Sequence, residues 1–143
     1  MPRLSVWLVR TALVQLVIGA ALGALYLAWK GFGVPAFAPS LLPLHVECVL
    51  VGWVIQFVLG VAYWILPRRA DERTGPGDGA IWLAYVLVNG GVVAVGVAPL
   101  LGALSSVALA GRVAELAAAA AFATHAWPRV RPYGAGRARA AGA

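Results

Sequence analysis

The sequence has little charge and few of the side chains that form covalent links or bind metals. Of its 143 residues, 11% are Asp, Glu, Lys or Arg, and it contains one cysteine and two histidines. A single cysteine excludes an internal disulfide and also the Cys-x-x-Cys-His motif that attaches haem covalently. Nucleic-acid binding needs a soluble basic surface, and no such segment is present, so we expect no nucleic-acid partner.

Long hydrophobic runs make up most of the chain. Hydrophobic residues account for 62% of it, against about 45–50% in an ordinary soluble domain. Three runs exceed the roughly 18 apolar residues of a membrane span, and a fourth contains Arg112 and Glu115. The sequence therefore predicts an all-α polytopic membrane protein, one transmembrane domain over about residues 1–130 with a basic cytoplasmic tail at 131–143. Its four-helix bundle is predicted to have spans at about 6–29, 42–66, 80–101 and 104–127.

The arginines indicate an orientation for these spans. Apart from Arg10 and Arg112 inside the spans, they lie before the first span, in the 67–79 loop and after the fourth span, whereas the opposite side carries only Lys30. The positive-inside rule therefore predicts that both termini and this loop are cytoplasmic, in the inner (cell) membrane. Membrane lipid is the first expected partner, because juxtamembrane arginines also bind anionic headgroups.

The second span carries a stripe of unusual residues. At 3.6 residues per turn the stripe comprises His45, Gly52, Gln56 and Tyr63. Polar groups in hydrocarbon are costly unless they are paired, so the stripe is predicted to face the interior. Glu47 lies about 200° from His45 on a regular helix, and the two side chains therefore cannot chelate one metal ion.

His45 has two interpretations. As a structural histidine it would bond a neighbouring carbonyl, Tyr26 or Ser106. As a haem ligand it would offer iron a neutral imidazole nitrogen, and Gly52 would leave a flat gap for the macrocycle. We favour the second, with His45 as the metal ligand of haem b and the rest of the stripe lining the cofactor. His125 lies about 20 Å or more away along the membrane normal and cannot be the second ligand of the same haem.

Three ionisable residues lie inside the spans. Arg112 is expected to pair with Glu47 across helices or with Glu115 one turn along its own helix. It is also a candidate to neutralise a haem propionate, with the two glutamates orienting it. Since intramembrane charges often mark transport routes, a proton or small-solute pathway through these residues is a further alternative.

The stretch PLHVECVLVGWVIQFVLGVAYWILPR resembles helix II of the catalytic subunit I of haem–copper oxidases, above all the cbb-type oxidases and nitric oxide reductases. In that family a histidine after a Pro–Leu pair, near the outer end of helix II, ligates the low-spin haem b, and it matches His45 here. The family's G-x-A-Y-x-x-x-P sequence is matched by Gly60, Ala62, Tyr63 and Pro67, with Arg68 at the cytoplasmic edge. The resemblance extends over residues 8–70 and implies that the first two spans correspond to helices I and II.

The family's active site needs many more helices and further histidines, so this chain cannot be a complete oxidase or reductase. We expect instead a small subunit-I-like cytochrome for electron transfer or for binding nitric oxide or oxygen. One His45 per protomer leaves the sixth iron position open, or filled by the same histidine of a second copy in a homodimer or larger homo-oligomer. A respiratory-chain protein is another expected partner. The alternative from a different class is a non-catalytic scaffold or accessory subunit that has lost the cofactor.

Overall fold

The structure is a computed structural model that describes residues 1–33, 37–67, 79–100 and 105–130. In these ranges the chain forms helices and helical turns, without a β-strand. The main elements are α1 (Arg3–Phe32), α2 (Ala38–Ile65), α3 (Gly79–Val97) and α4 (Ser105–Ala126), which a 3-10 turn at Trp127–Arg129 follows. Within the described ranges, four helices are long and apolar enough to cross a membrane, which confirms the predicted all-helical class with four candidate spans. Residues 68–78 of the basic loop and the 131–143 tail lie outside the described residues.

Helix ends follow local chain chemistry. Helix α1 ends where Gly33 adopts a left-handed φ of 73° and donates its N–H to the Trp29 carbonyl at 2.7 Å, a conformation that costs glycine little. The α-helical part of α2 begins at Leu42, after a 3-10 turn over Ala38–Leu41.

The middle of α2 departs from regular α-helical geometry. Residues Cys48–Ile55 are π-helical, between the α-helical segments Leu42–Glu47 and Gln56–Ile65. A π-helix bonds residue i to i+5, turns less per residue, and occurs frequently at functional sites. An angular position counted at 3.6 residues per turn is therefore only approximate across this segment.

The helices pack as neighbours along the chain. Helix α1 lies along α2, α3 lies along α4, and α2 also contacts α3. All four contribute to one buried cluster: Leu4, Leu8, Tyr63, Ile81, Ala84, Val88, Ala118 and Phe122. Small residues allow the close approaches, since a Cβ at Gly19 would lie 2.7 Å from the Val49 side chain and one at Gly111 would lie 2.6 Å from that of Val95.

Candidate functional site

His45 packs against α1 at the two glycines of its G-x-x-x-G sequence. Its Nδ1 lies 2.7 Å from the Gly19 carbonyl oxygen, and a Cβ at Gly23 would lie only 2.7 Å from His45 Cε1. Because a carbonyl oxygen can only accept, Nδ1 is the donor of this bond, and in the Nδ1–H tautomer it is Nε2 that has the lone pair. The bond is the one that the structural interpretation expected. It also orients the ring in the way that metal-ligating histidines are usually held.

The next residues of the stripe lie on the face of α2 that contacts α1. Gly52 contacts the Gln15 side chain, whose Oε1 occupies the space that a Cβ at Gly52 would need. Gln56 is fully buried and donates Nε2 to the Leu8 carbonyl at 3.2 Å. Within one protomer, α1 therefore fills the gap beside Gly52 that the sequence assigns to a macrocycle.

Tyr63 lies at the opposite end of α2, in the buried core. Its ring centroid is 5.9 Å from that of His125, and the guanidinium carbon of Arg129 lies 5.5 Å from the Tyr63 centroid. His45 thus lies near one end of α2 and His125 contacts the other end, so one protomer does not bring the two histidines together.

The three ionisable residues inside the spans form one cluster, which we call the charge cluster: Glu47, Arg112 and Glu115. Arg112 donates Nη2 to Glu47 Oε1 at 2.5 Å and Nη1 to Glu47 Oε2 at 3.1 Å, a bidentate pair. The same Nη1 donates to Glu115 Oε2 at 2.9 Å. Arg112 therefore engages both glutamates that the sequence offers it, on the side of α2 away from α1.

The contact between α3 and α4 fixes the position of Glu115. A Cβ at Gly91 would lie 2.5 Å from Glu115 Cγ and 2.9 Å from the Gly111 carbonyl oxygen. Side-chain exposure differs sharply across the charge cluster, with Glu47 3% exposed, Glu115 12% and Arg112 53%. Glu47 is thus buried, Glu115 is partly buried, and the side chain of Arg112 is half-exposed.

A cleft of about 250 Å³ opens beside the charge cluster. It lies between α2, α3 and α4, and apart from Arg112 and Glu115 its lining is apolar: Val51, Ile55, Leu59, Val88, Leu116, Ala118 and Ala119.

A polar network between α1 and α3 was missed by the sequence analysis. Gln15 donates Nε2 to Asn89 Oδ1 at 2.8 Å, and the hydroxyls of Thr11 and Tyr85 lie 3.0 Å apart. The sequence does contain a signal for this network. Gln15 and Asn89 interrupt apolar runs, and each lies about one helical turn, four residues, after a hydroxyl residue of the network on its own helix.

No group of three or more His, Cys, Asp or Glu side chains that could hold a metal ion occurs in the described part of the chain. Compared with protein-family models, curated proteins and solved structures, the chain matches none.

Proposed function

We propose that this chain is a small integral protein of the inner (cell) membrane that binds haem b through His45. Both termini face the cytoplasm in this proposal. The observation that carries it is the Nδ1 bond of His45 to the Gly19 carbonyl, which leaves Nε2 as the nitrogen available to iron. The resemblance of residues 43–68 to helix II of the oxidase family supports the same residue as the ligand.

His45 can ligate the haem iron, but the contact between α1 and α2 leaves no room for the porphyrin inside one protomer. Gln15 occupies the gap at Gly52, and a Cβ at Gly60 would lie 2.9 Å from Leu8 Cβ. The macrocycle is therefore assigned to the half-buried His45 end of α2, outside the contact between α1 and α2. A parallel homodimer would cover that position and place two His45 side chains at one depth.

Bound haem would supply a redox-active iron or, with one axial position open, a site for nitric oxide or oxygen. The protein would hold the imidazole in its Nδ1–H tautomer and exclude water from the iron. A respiratory-chain protein is the expected electron donor or acceptor.

The test is the optical spectrum of detergent-purified protein from haem-supplied cells, before and after reduction by dithionite. We expect a Soret band and a sharp reduced α band that His45→Ala abolishes and that His125→Ala retains. Carbon monoxide shifts the reduced spectrum only if an axial position is open. A featureless visible spectrum from folded wild-type protein would overturn the proposal.

One observation favours a second candidate, the accessory subunit without a cofactor. Gly52 and Gln56 are both engaged by α1, as expected if the stripe serves helix packing alone. This candidate predicts no haem in the wild type, and a loss of stability without a spectral change in His45→Ala.

A further inference from the structure

The half-exposed guanidinium of Arg112 lies deep in its helix. Arg112 follows the first residue of α4 by seven positions, which places it about 10 Å along the axis at a rise of about 1.5 Å per residue. The helix has 22 residues, close to the roughly 20 that cross a hydrocarbon core about 30 Å thick. An arginine at this depth is costly unless its N–H groups find acceptors.

Arg112 still has donors to offer. A guanidinium carries five N–H groups, and three of those of Arg112 donate to Glu47 and Glu115. The Nε–H and the second Nη2–H have no acceptor among the residues that the structure describes. With its side chain 53% exposed, Arg112 is the accessible polar group of the cleft.

The charge cluster restricts what can bind there. It contains two carboxylates and one guanidinium, so an anionic ligand, including the haem propionate for which the sequence made Arg112 a candidate, would add to a negative excess in a low-dielectric site. A cationic ligand would meet the guanidinium first, because the Arg112 side chain is 53% exposed and that of Glu115 only 12%. The matching polar group is therefore a neutral acceptor, such as a carbonyl oxygen.

The volume and depth of the cleft also restrict the size and the source of the ligand. An engineered apolar cavity of about 150 Å³ holds benzene, so a cleft of about 250 Å³ has room for a substituted ring. The ester carbonyls of phospholipids lie at the membrane surface, whereas Arg112 lies about 10 Å along its helix from the end of the span. A molecule dissolved in the hydrocarbon can bring a carbonyl to this depth, and this is the source of the acceptor that the depth of Arg112 favours.

We propose that the cleft beside Arg112 binds a neutral, carbonyl-bearing ring of the quinone class, with one carbonyl oxygen accepting from the free N–H groups of Arg112. The apolar walls from α2 and α4 enclose the ring, and its isoprenoid tail leaves into the bilayer. This site does not include His45, so it stands or falls independently of the haem proposal.

The experiment measures binding of radiolabelled ubiquinone-2 to the full chain in lipid nanodiscs, relative to empty nanodiscs. Ala119→Phe fills the cleft from an exposed position, and Leu116→Trp does so from another. Ala120→Phe is the matched control, since it is the neighbouring exposed alanine and does not line the cleft. Arg112→Lys keeps the charge and removes the planar fork. Circular dichroism and gel filtration select the folded variants.

We expect saturable binding of one ubiquinone-2 per chain in the wild type and in Ala120→Phe. Affinity should fall at least tenfold in both cleft-filling variants and severalfold in Arg112→Lys. Farnesane, a branched hydrocarbon without a carbonyl, should show no saturable binding. The proposal is overturned if the wild type takes up no more quinone than empty nanodiscs, if cleft-filling variants bind it as tightly as the wild type, or if farnesane binds equally well.

Discussion

The two sides of α2 satisfy their polar residues in different ways. Toward α1, His45 and Gln56 bond the backbone carbonyls of Gly19 and Leu8, neutral contacts that close the interface. Toward α4, Glu47 is held by the guanidinium of Arg112, which remains half-exposed beside an apolar cleft. A membrane helix can thus bury neutral polar groups completely against a neighbouring backbone. Buried charges instead need a cluster of side chains, and here that cluster leaves donors free for a ligand.

The largest effect is expected from removing the cation of the charge cluster. Arg112→Leu leaves Glu47, 3% exposed, without its bidentate partner, and breaking such a buried pair costs about 3–5 kcal/mol. The free energy of unfolding, measured by titration with a denaturing detergent in mixed micelles, should fall by this amount. The double variant Glu47→Leu/Arg112→Leu should recover most of the loss, and equal instability of the single and double variants would contradict the pairing.

A smaller effect is expected on the neutral side of α2. Gly52→Ala forces a methyl group into the Gln15 amide, and overpacking of this kind costs about 1–3 kcal/mol. The matched control is Gly90→Ala, because nothing lies within 4 Å of a Cβ at that position. That substitution should be neutral or stabilising by up to about 1 kcal/mol through helix propensity. Equal effects of the two substitutions would show that α1 does not pack at Gly52.

Gly23→Ala tests the position of the His45 imidazole against α1 separately from the stability of the fold. Its Cβ would lie 2.7 Å from the imidazole, so the ring must move while the helices stay associated. If His45 ligates haem, haem content should fall severalfold, and the unfolding free energy should change by only about 1 kcal/mol. Retention of the full haem content would place the ligand elsewhere.

The smallest effect is expected in the network between α1 and α3. Side-chain hydrogen bonds between membrane helices average about 0.6 kcal/mol in double-mutant cycles. A cycle of Gln15→Leu and Asn89→Leu should therefore give a coupling energy of this size for their bond. A coupling near zero would mean that the two amides are not bonded in the membrane.

Hydropathy predicted the four spans because a membrane helix must be continuous and apolar, a property that each segment carries by itself. The inward stripe of α2 was also predictable, since residue spacing alone places Gly52 and Gln56 on one face. The groups of α1 that contact this stripe were not predictable. The positions of the Gln15 side chain and the Leu8 carbonyl depend on how α1 is rotated against α2. The sequence likewise left two glutamates open to Arg112. Glu115 lies one turn along the same helix, whereas Glu47 comes within reach only through the relative position of α2 and α4. The π-helical segment has no signature in the apolar run that forms it.

The central claim is that His45 holds a haem, and the reduced-minus-oxidised optical spectrum of the purified protein tests it most directly. We predict a b-type α band in the wild type and in His125→Ala, and none in His45→Ala of equal helix content. An α band that persists in His45→Ala, or no band in folded and haem-supplied wild-type protein, would contradict the claim.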